Sequence, residues 1–459
     1  MTVAQVVWTL IKIFVMVFFV LNLAGILTWA DRRQSAMIQH RIGPNRAVIK
    51  VFGREIRILG LLHTAADGIK FFTKEDFRPP RADRLLFMLA PIIAMASVFA
   101  LLAAIPFGDT LCTRDLWQSG QHGTYFPPVP RFGVCGSSPK DGYFPIDMTV
   151  APLNVGILFI FAMAGQGIIG AAIAGWSSDN KFSLLGALRA ASQMVSYEVT
   201  LGMSLIGAFM IFGTVRLDDM VRWQGEHAWG IFVQPLAFFL FFAATVAENK
   251  RIPFDLPEAE SELVSGYFTE YAGMKFGMFY FAEYAEIVTG SMLLVSIFLG
   301  GWELPFFHRD GLTIAIGSAT MVHAKIPHIW MEIIGVLAFF GKVVAVCWIQ
   351  TFVRWTLPRF RYDQLMKLGW RILLPASLAN ILVTGVVYLA IEKAGPGASD
   401  ALRVAGDVTQ GIVAIAVLFV TVRGIAGLFS PVTHDRSVLG TSAVAAEKHG
   451  GTETTPMQA

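Results

Sequence analysis

Four ionisable side chains stand where lipid would not choose them. Glu283 and Glu286 lie three residues apart in one apolar stretch, Glu198 follows Ser196-Tyr197 in another, and Lys342 sits near the middle of a third. Each costs about 2.5 to 3.5 kcal/mol to insert into a bilayer, so each demands a partner or a task. The plain account is an ion pair, for instance Lys342 with one of the glutamates. The sharper one is a chain of protonatable sites tuned by burial and by each other. Glu283 and Glu286 share a helix face at this spacing.

Between 247 and 286 the chain carries eight acids (Glu248, Asp255, Glu258, Glu260, Glu262, Glu270, Glu283 and Glu286) against Lys250, Arg251 and Lys275. Apolar residues such as Ile252, Phe254, Leu256 and Tyr267 are interleaved with them, which describes a loop tucked against protein. If 258–262 is helical, Glu258 and Glu262 share a face; if it is extended, all three glutamates point the same way. Like charges this close raise the pKa of some of the carboxyls, and raised carboxyls hold and pass protons near neutral pH.

Other chemistries are excluded by what the chain lacks. The nine histidines fall outside the apolar centres, and no GxGxxG or P-loop is present. Three cysteines are too few for a four-thiolate iron-sulfur or structural zinc site, so no metal, cofactor or redox centre is expected in the chain itself. A net charge of +3 removes the electrostatic drive for nucleic acid. With 55% apolar and 15% charged residues in 459, against about 25% charged in soluble domains, the solvent must be largely lipid.

The elements that position these residues are membrane spans of about 20 apolar residues. Nine are predicted, at 6–29, 85–105, 153–176, 190–212, 230–247, 276–299, 333–352, 372–391 and 408–428. The first is no signal peptide, since Met1 to Trp8 lacks a basic region. Alternate loops carry 25 Lys and Arg on one side against 9 on the other, which puts the N-terminus outside and the C-terminus in the cytoplasm. In the first inner loop, Leu61, Leu62, Ala65, Ile69 and Phe72 share a side at helical spacing, describing a short helix in the interface plane. Cys112 and Cys135 share the long outer loop and could pair in an oxidising compartment, whereas Cys347 is a small buried residue within a span. The reading is an all-α polytopic membrane domain over 1–430, with functional inner loops at 30–84 and 248–276, and a disordered tail at 431–459.

Six segments in register carry a resemblance: Asp31-Arg32-Arg33 through Gly43-Pro44-Asn45-Arg46; Ala66-Asp67-Gly68-Ile69-Lys70 with Lys74-Glu75; Ser196-Tyr197-Glu198; Arg251-Ile252-Pro253-Phe254-Asp255-Leu256-Pro257-Glu258-Ala259-Glu260-Ser261-Glu262; Glu270-Tyr271 through Glu283-Tyr284; and Pro358-Arg359-Phe360-Arg361-Tyr362-Asp363-Gln364. Over roughly 6–391 the chain resembles the H subunits of proton-translocating NADH-quinone oxidoreductase, respiratory complex I, the counterparts of mitochondrial subunit 1. The resemblance implies an eight-helix core without a prosthetic group, here with a ninth C-terminal span, forming much of a quinone cavity where membrane and peripheral arms meet. It implies that Asp31, Arg32, Arg41, Asp67 and Lys70 lie near the quinone path. Glu198, Glu248, Asp255, Glu258, Glu260, Glu262, Glu270, Glu283 and Glu286 would form an acidic funnel leading toward antiporter-like subunits, with Lys342 added here as a further intramembrane charge. Arg354, Arg359, Arg361 and Asp363 would face the peripheral arm.

A bacterial inner membrane location and quinone as substrate follow from the same resemblance. Departures from the pattern include Asp31 where Glu is usual, His63 for Gln, Lys250 for Asn and a longer outer loop at 107–147. The homologous membrane component of an energy-converting hydrogenase or of F420H2 dehydrogenase is the near alternative, and a stand-alone cation-proton transporter the distant one. A plain anchor for the peripheral arm would leave the buried charges without purpose.

Overall fold

Apolar runs become helices in lipid because only a helix satisfies its own peptide groups there. The computed structural model describes residues 3–51, 54–56, 59–112, 145–257, 260–308, 311–316 and 319–394, with isolated positions from 406 to 419. In chain order the helices are α1 (Val3–Ile38), α2 (Leu62–Thr73), α3 (Arg84–Leu102), α4 (Gly156–Ser177), α5 (Lys181–Phe212), α6 (Leu217–Glu226), α7 (Gly230–Val233) and α8 (Pro235–Glu248). There follow α9 (Glu260–Leu263), α10 (Gly273–Phe298), α11 (His328–Thr356), α12 (Tyr362–Lys367) and α13 (Leu374–Ala394). Among the described residues seven helices are long and apolar enough to cross a membrane: α1, α3, α4, α5, α10, α11 and the continuous 362–391. The chain is an all-α, multi-pass membrane protein.

Three departures from the predicted spans have physical reasons. The 230–247 stretch breaks at Gln234, because Pro235 cannot donate into the preceding turn. The resulting α8, 14 residues or about 21 Å, is too short to cross alone. Gln234 is buried at the break, donating to Thr384 at 2.8 Å and accepting from Asn380 at 3.0 Å. α1 runs on past the predicted 6–29 to Ile38, and buries Gln34, Ser35 and Ala36 against protein beyond the apolar run. The 302–329 connection, for which no strand was expected, holds a three-stranded antiparallel sheet, β5 (Phe307–His308), β6 (Gly311–Ile316) and β7 (Ala319–Lys325). The 408–428 span and the 431–459 tail lie largely or wholly outside the described residues.

α10 is the central helix, packed against α1, α3, α6, α8 and α11. Small residues let its neighbours close up: a Cβ on Gly175 of α4 would come within 2.2 Å of the Ala187 Cβ on α5. The predicted interfacial helix is α2, which leaves Ile69 and Phe72 exposed while Phe71 packs on Phe276 of α10. Cys112 pairs with Pro145 in a short antiparallel strand pair; Cys135, and so any Cys112–Cys135 bond, lies outside the described residues. Cys347 is buried, as expected.

Candidate functional site

The nine residues by which α1 overshoots its apolar run bring Asp31 against α10 and α11. Its carboxylate is buried, ion-paired with Arg354 of α11, and accepts a 2.6 Å hydrogen bond from the Tyr284 hydroxyl of α10. Arg354 also donates to that hydroxyl at 3.4 Å. The Arg251 guanidinium lies 4.3 Å from the Tyr284 ring centroid and 3.2 Å from Glu283. Tyr267, in the loop before α10, donates to Glu283 at 3.1 Å. One turn further along α10, Glu286 pairs with Lys250 at 3.4 Å. Glu283 and Glu286 thus take separate cations, both from the segment after α8. Lys342 pairs with neither.

Below this lies a cavity of about 50 Å³ lined by Glu248, Glu286, Ser97, Thr245 and Asn249 among apolar side chains. That is room for more than one water, at about 10 to 15 Å³ each. Glu198 and Glu286 both lie against α4, where a Cβ would stand 3.5 Å from the Glu198 carboxylate at Gly165 and 3.6 Å from that of Glu286 at Gly167. Ion pairing accounts for Glu283 and Glu286; Glu248 forms no ion pair among the described residues.

The loop acids divide. Asp255 is held by Arg359, whose guanidinium reaches both its carboxylate at 3.4 Å and its backbone carbonyl. Burial pushes the Asp255 carboxyl up to about 6, against the opposing Arg359 charge. A raised carboxyl stabilises the fold below its ordinary value near 3.8 and loses that contribution as pH rises through about 6. Asp255→Asn is therefore expected to gain on wild type, by on the order of 1 to 2 kcal/mol, between about pH 4 and 6; melting curves across that range check it.

Glu262 is not among the raised carboxyls. It is 58% exposed and bonded to Arg189 at 2.6 Å, which holds its carboxyl below the usual range. Glu270 accepts from Asn180 at 2.6 Å. Residues 260–263 are helical, and Glu258 lies outside the described residues, so the shared face of Glu258 and Glu262 does too.

Of the residues placed by resemblance along the quinone path, Arg32 and Asp67 form an ion pair joining α1 to α2. Arg41 is exposed and donates to Gln39 at 2.7 Å and to Ser35 at 3.2 Å, while Lys70 is exposed on α2. Arg361 and Asp363 lie exposed at the start of α12, and Asp363 faces Lys367 at 3.9 Å. Arg354, grouped with these by sequence, is instead drawn inward to Asp31. Sequence reasoning missed Tyr284 and Tyr267, aromatic residues that read as core until their hydroxyls are placed. It also missed Gln193, buried and donating to the carbonyls of Ala247 and Phe254 at 2.8 Å each. The bias of Tyr over Phe beside Glu283 was the available signal.

At the opposite end of α10, Lys342 donates to the carbonyls of Leu299, Gly301 and Glu303 at 2.8, 3.0 and 2.6 Å. Its ammonium caps the end of that helix, where cations are favoured. Among the described residues no group of three or more His, Cys, Asp or Glu side chains is arranged to hold a metal ion.

Comparison with known proteins bears on these residues together. A family profile described as NADH dehydrogenase matches residues 11–385. The H subunit numbered 1 of the NADH-quinone oxidoreductase of Cytophaga hutchinsonii is 40% identical over 362 residues, covering 79% of this chain and 91% of that one. The H subunit numbered 2 of the Koribacter versatilis enzyme is 40% identical over 387 residues, 83% of this chain and 97% of its own. The H subunit of the Flavobacterium psychrophilum enzyme is 40% identical over 365 residues, 80% and 92% of the two chains. A match that spans residues 11–385, from α1 into α13 and across the loops at 30–84 and 248–276, places the chain in the NADH dehydrogenase family, to which it belongs alongside relatives named as H subunits of NADH-quinone oxidoreductase.

Proposed function

We propose that this chain is the membrane subunit of an NADH-quinone oxidoreductase, that it walls the quinone site, and that it couples quinone reduction to proton movement. The single observation that supports this is a run of contacts from the inner end of α1 into the membrane: Asp31 to Tyr284 and Arg354, Tyr284 to Arg251, Arg251 to Glu283, Glu283 to Tyr267, whose ring lies 6.0 Å from Lys250, and the Lys250–Glu286 pair beside the Glu248 cavity. Quinone reduction consumes two electrons, supplied by a peripheral subunit, and two protons. The ring sits near Asp31, with Arg32, Arg41, Asp67 and Lys70 along its approach, and its isoprenoid tail follows the exposed apolar side of α2.

Charge created there pulls on Arg354 and Tyr284. Arg251 touches both Tyr284 and Glu283, so its displacement changes the field at the acid pair, and a proton shifts among Glu283, Glu286, Glu248 and Glu198. Asp255, with Arg359 across it, links this cluster to the inner face, where Arg359, Arg361 and Asp363 meet the peripheral arm. Glu262 and Glu270 extend the acidic surface toward antiporter-like neighbours. The chain needs no cofactor of its own for this role; quinone is its substrate. It lies in a bacterial inner membrane with its N-terminus outside.

Four-fifths of the chain matching relatives named for quinone favours this reading over the hydrogenase or F420H2 counterpart. The test is Glu283→Gln in the assembled complex in vesicles, measuring protons moved per NADH and quinone reductase turnover. The ratio is expected to fall at least twofold; an unchanged ratio overturns the proposal.

A further inference from the structure

At the end of α10 away from the acidic loop a second buried charge group stands, unused by the relay above. Asp109 and Arg222 are each 8% exposed and close on one another at 2.7 Å, with Thr110 accepting from the same guanidinium at 2.9 Å. The guanidinium also meets Asp219 at 3.4 Å and Asp218 at 3.8 Å, so its charge is shared among three carboxylates. Glu303, in the turn after α10, lies beside it. Its side chain packs over Gly225 of α6, where a Cβ would come within 2.9 Å of its Cδ and 3.1 Å of Oε2; only glycine leaves room for the carboxyl. Lys342 faces it from α11, but spends its hydrogen bonds on three backbone carbonyls and rests 4.4 Å from the Trp229 ring. The lysine therefore stands beside the carboxyl with its own hydrogen bonds already taken by backbone. A cavity of about 30 Å³ runs along Glu303, lined also by Asp109, Trp302 and Glu332, with His328 3.6 Å from Glu332. It has room for two or three waters at about 10 to 15 Å³ each.

A polar thread approaches from the acidic side. Asn249, next to Glu248, donates to Gln350 at 3.2 Å; Gln350 donates to Ser291 at 3.0 Å, and Cys347 to Ser291 at 3.3 Å. Cys347 stands five residues along α11 from Lys342, about 7.5 Å of helix rise.

We propose that Glu303 is a proton-holding residue at the far end of the membrane domain, taking a proton from water in its cavity beside Lys342 and releasing it to the aqueous face. In the step, a hydronium O–H bond breaks and a carboxyl O–H forms, returning water; release is the reverse, and no electrons move. The groups facing Glu303 are Asp109 from the segment after α3, Arg222 from α6, Lys342 and Glu332 from α11, and the Trp302 indole. Burial, with Asp109 adding to it, pushes the Glu303 carboxyl up to about 8, against Lys342 and Arg222. It is thus protonated below that pH and releases above it.

The inference rests on the proton-coupling reading, and the test separates the two. Infrared difference spectra of the purified complex, titrated from the acid to the alkaline side of about pH 8, are expected to show a protonated-carboxyl band lost near that pH and absent from Glu303→Gln. In vesicles the same variant is expected to move fewer protons per NADH than wild type. A band that persists in the variant, or an unchanged proton ratio, overturns the proposal. Should Glu303→Gln fail to assemble, Gly225→Ala keeps the carboxyl and presses on it. The band's midpoint must then shift, and an unmoved midpoint counts against Glu303. Unchanged coupling in Glu283→Gln would sink the relay instead, while the band still decides whether Glu303 titrates.

Discussion

Arg251→Met is expected to destabilise the protein by about 3 to 5 kcal/mol, the cost of leaving one half of a buried ion pair without the other. Arg251 and Glu283 are 8% and 3% exposed, so neither charge is relieved by bulk water. The guanidinium does two things at once: it stands 3.2 Å from the Glu283 carboxylate and 4.3 Å from the Tyr284 ring centroid. Methionine keeps the stem and much of the volume but neither contact. The thermal inactivation midpoint of the solubilised complex checks the stability loss. Arg251→Met/Glu283→Gln removes the stranded carboxylate as well, and is expected to recover more than half of the loss. Recovery of quinone reductase activity coupled to proton movement is not expected, because the bridge from Tyr284 to the acid pair is gone. Equal stability of Arg251→Met and wild type would contradict the burial of this pair. A double variant restored in both stability and coupling would remove Arg251 from the relay.

The same cluster tells how far a sequence can be read. Glu198, Glu283, Glu286 and Lys342 announced themselves because lipid penalises charge, whatever the fold. Which cation meets which acid did not. The Lys342 pairing fails because its ammonium is taken up by the carbonyls after α10, while Lys250 and Arg251, both from the segment after α8, reach the glutamates. Counting apolar residues found the spans, but it stops where lipid stops. It could not see that α1 continues as a protein-buried helix carrying Asp31 to Arg354, because Gln34 and Ser35 there look like loop. The hairpin in the 302–329 connection did carry a signal: Leu312-Thr313-Ile314-Ala315-Ile316 and Ala319-Thr320-Met321-Val322 flank a Gly317-Ser318 pair, which reads as two strands and a tight turn. Tyr267 counted in the sequence only as an apolar residue tucking the acidic loop against protein, and it and Tyr284 are indeed buried; their hydroxyls give them a second role.

Gly186→Ala, a change of one methyl group, is expected to be among the most damaging single substitutions in the chain. Gly186 lies on α5 where the helix crosses the loop before α10. A Cβ there would fall 2.7 Å from the Cα of Gly266, 2.8 Å from its carbonyl carbon and 2.9 Å from the Tyr267 nitrogen. All three are backbone atoms of buried residues, so no flexible side chain can swing aside. Gly266 itself holds φ of +58°, which few other residues tolerate, and this limits how the loop can retreat. Overpacking of this kind costs about 1 to 3 kcal/mol. It also has a direction, since moving the 266–268 turn moves Tyr267, whose hydroxyl donates to Glu283 at 3.1 Å. Tyr267→Phe removes that hydrogen bond without moving the backbone, for about 1 kcal/mol or somewhat more at a charged acceptor. Thermal inactivation together with protons moved per NADH in vesicles separates the contributions. Gly186→Ala should lose more stability than Tyr267→Phe and impair coupling at least as severely. If alanine at 186 is as stable as glycine, α5 and the acidic loop are not in backbone contact, and the support beneath Glu283 has to be sought elsewhere.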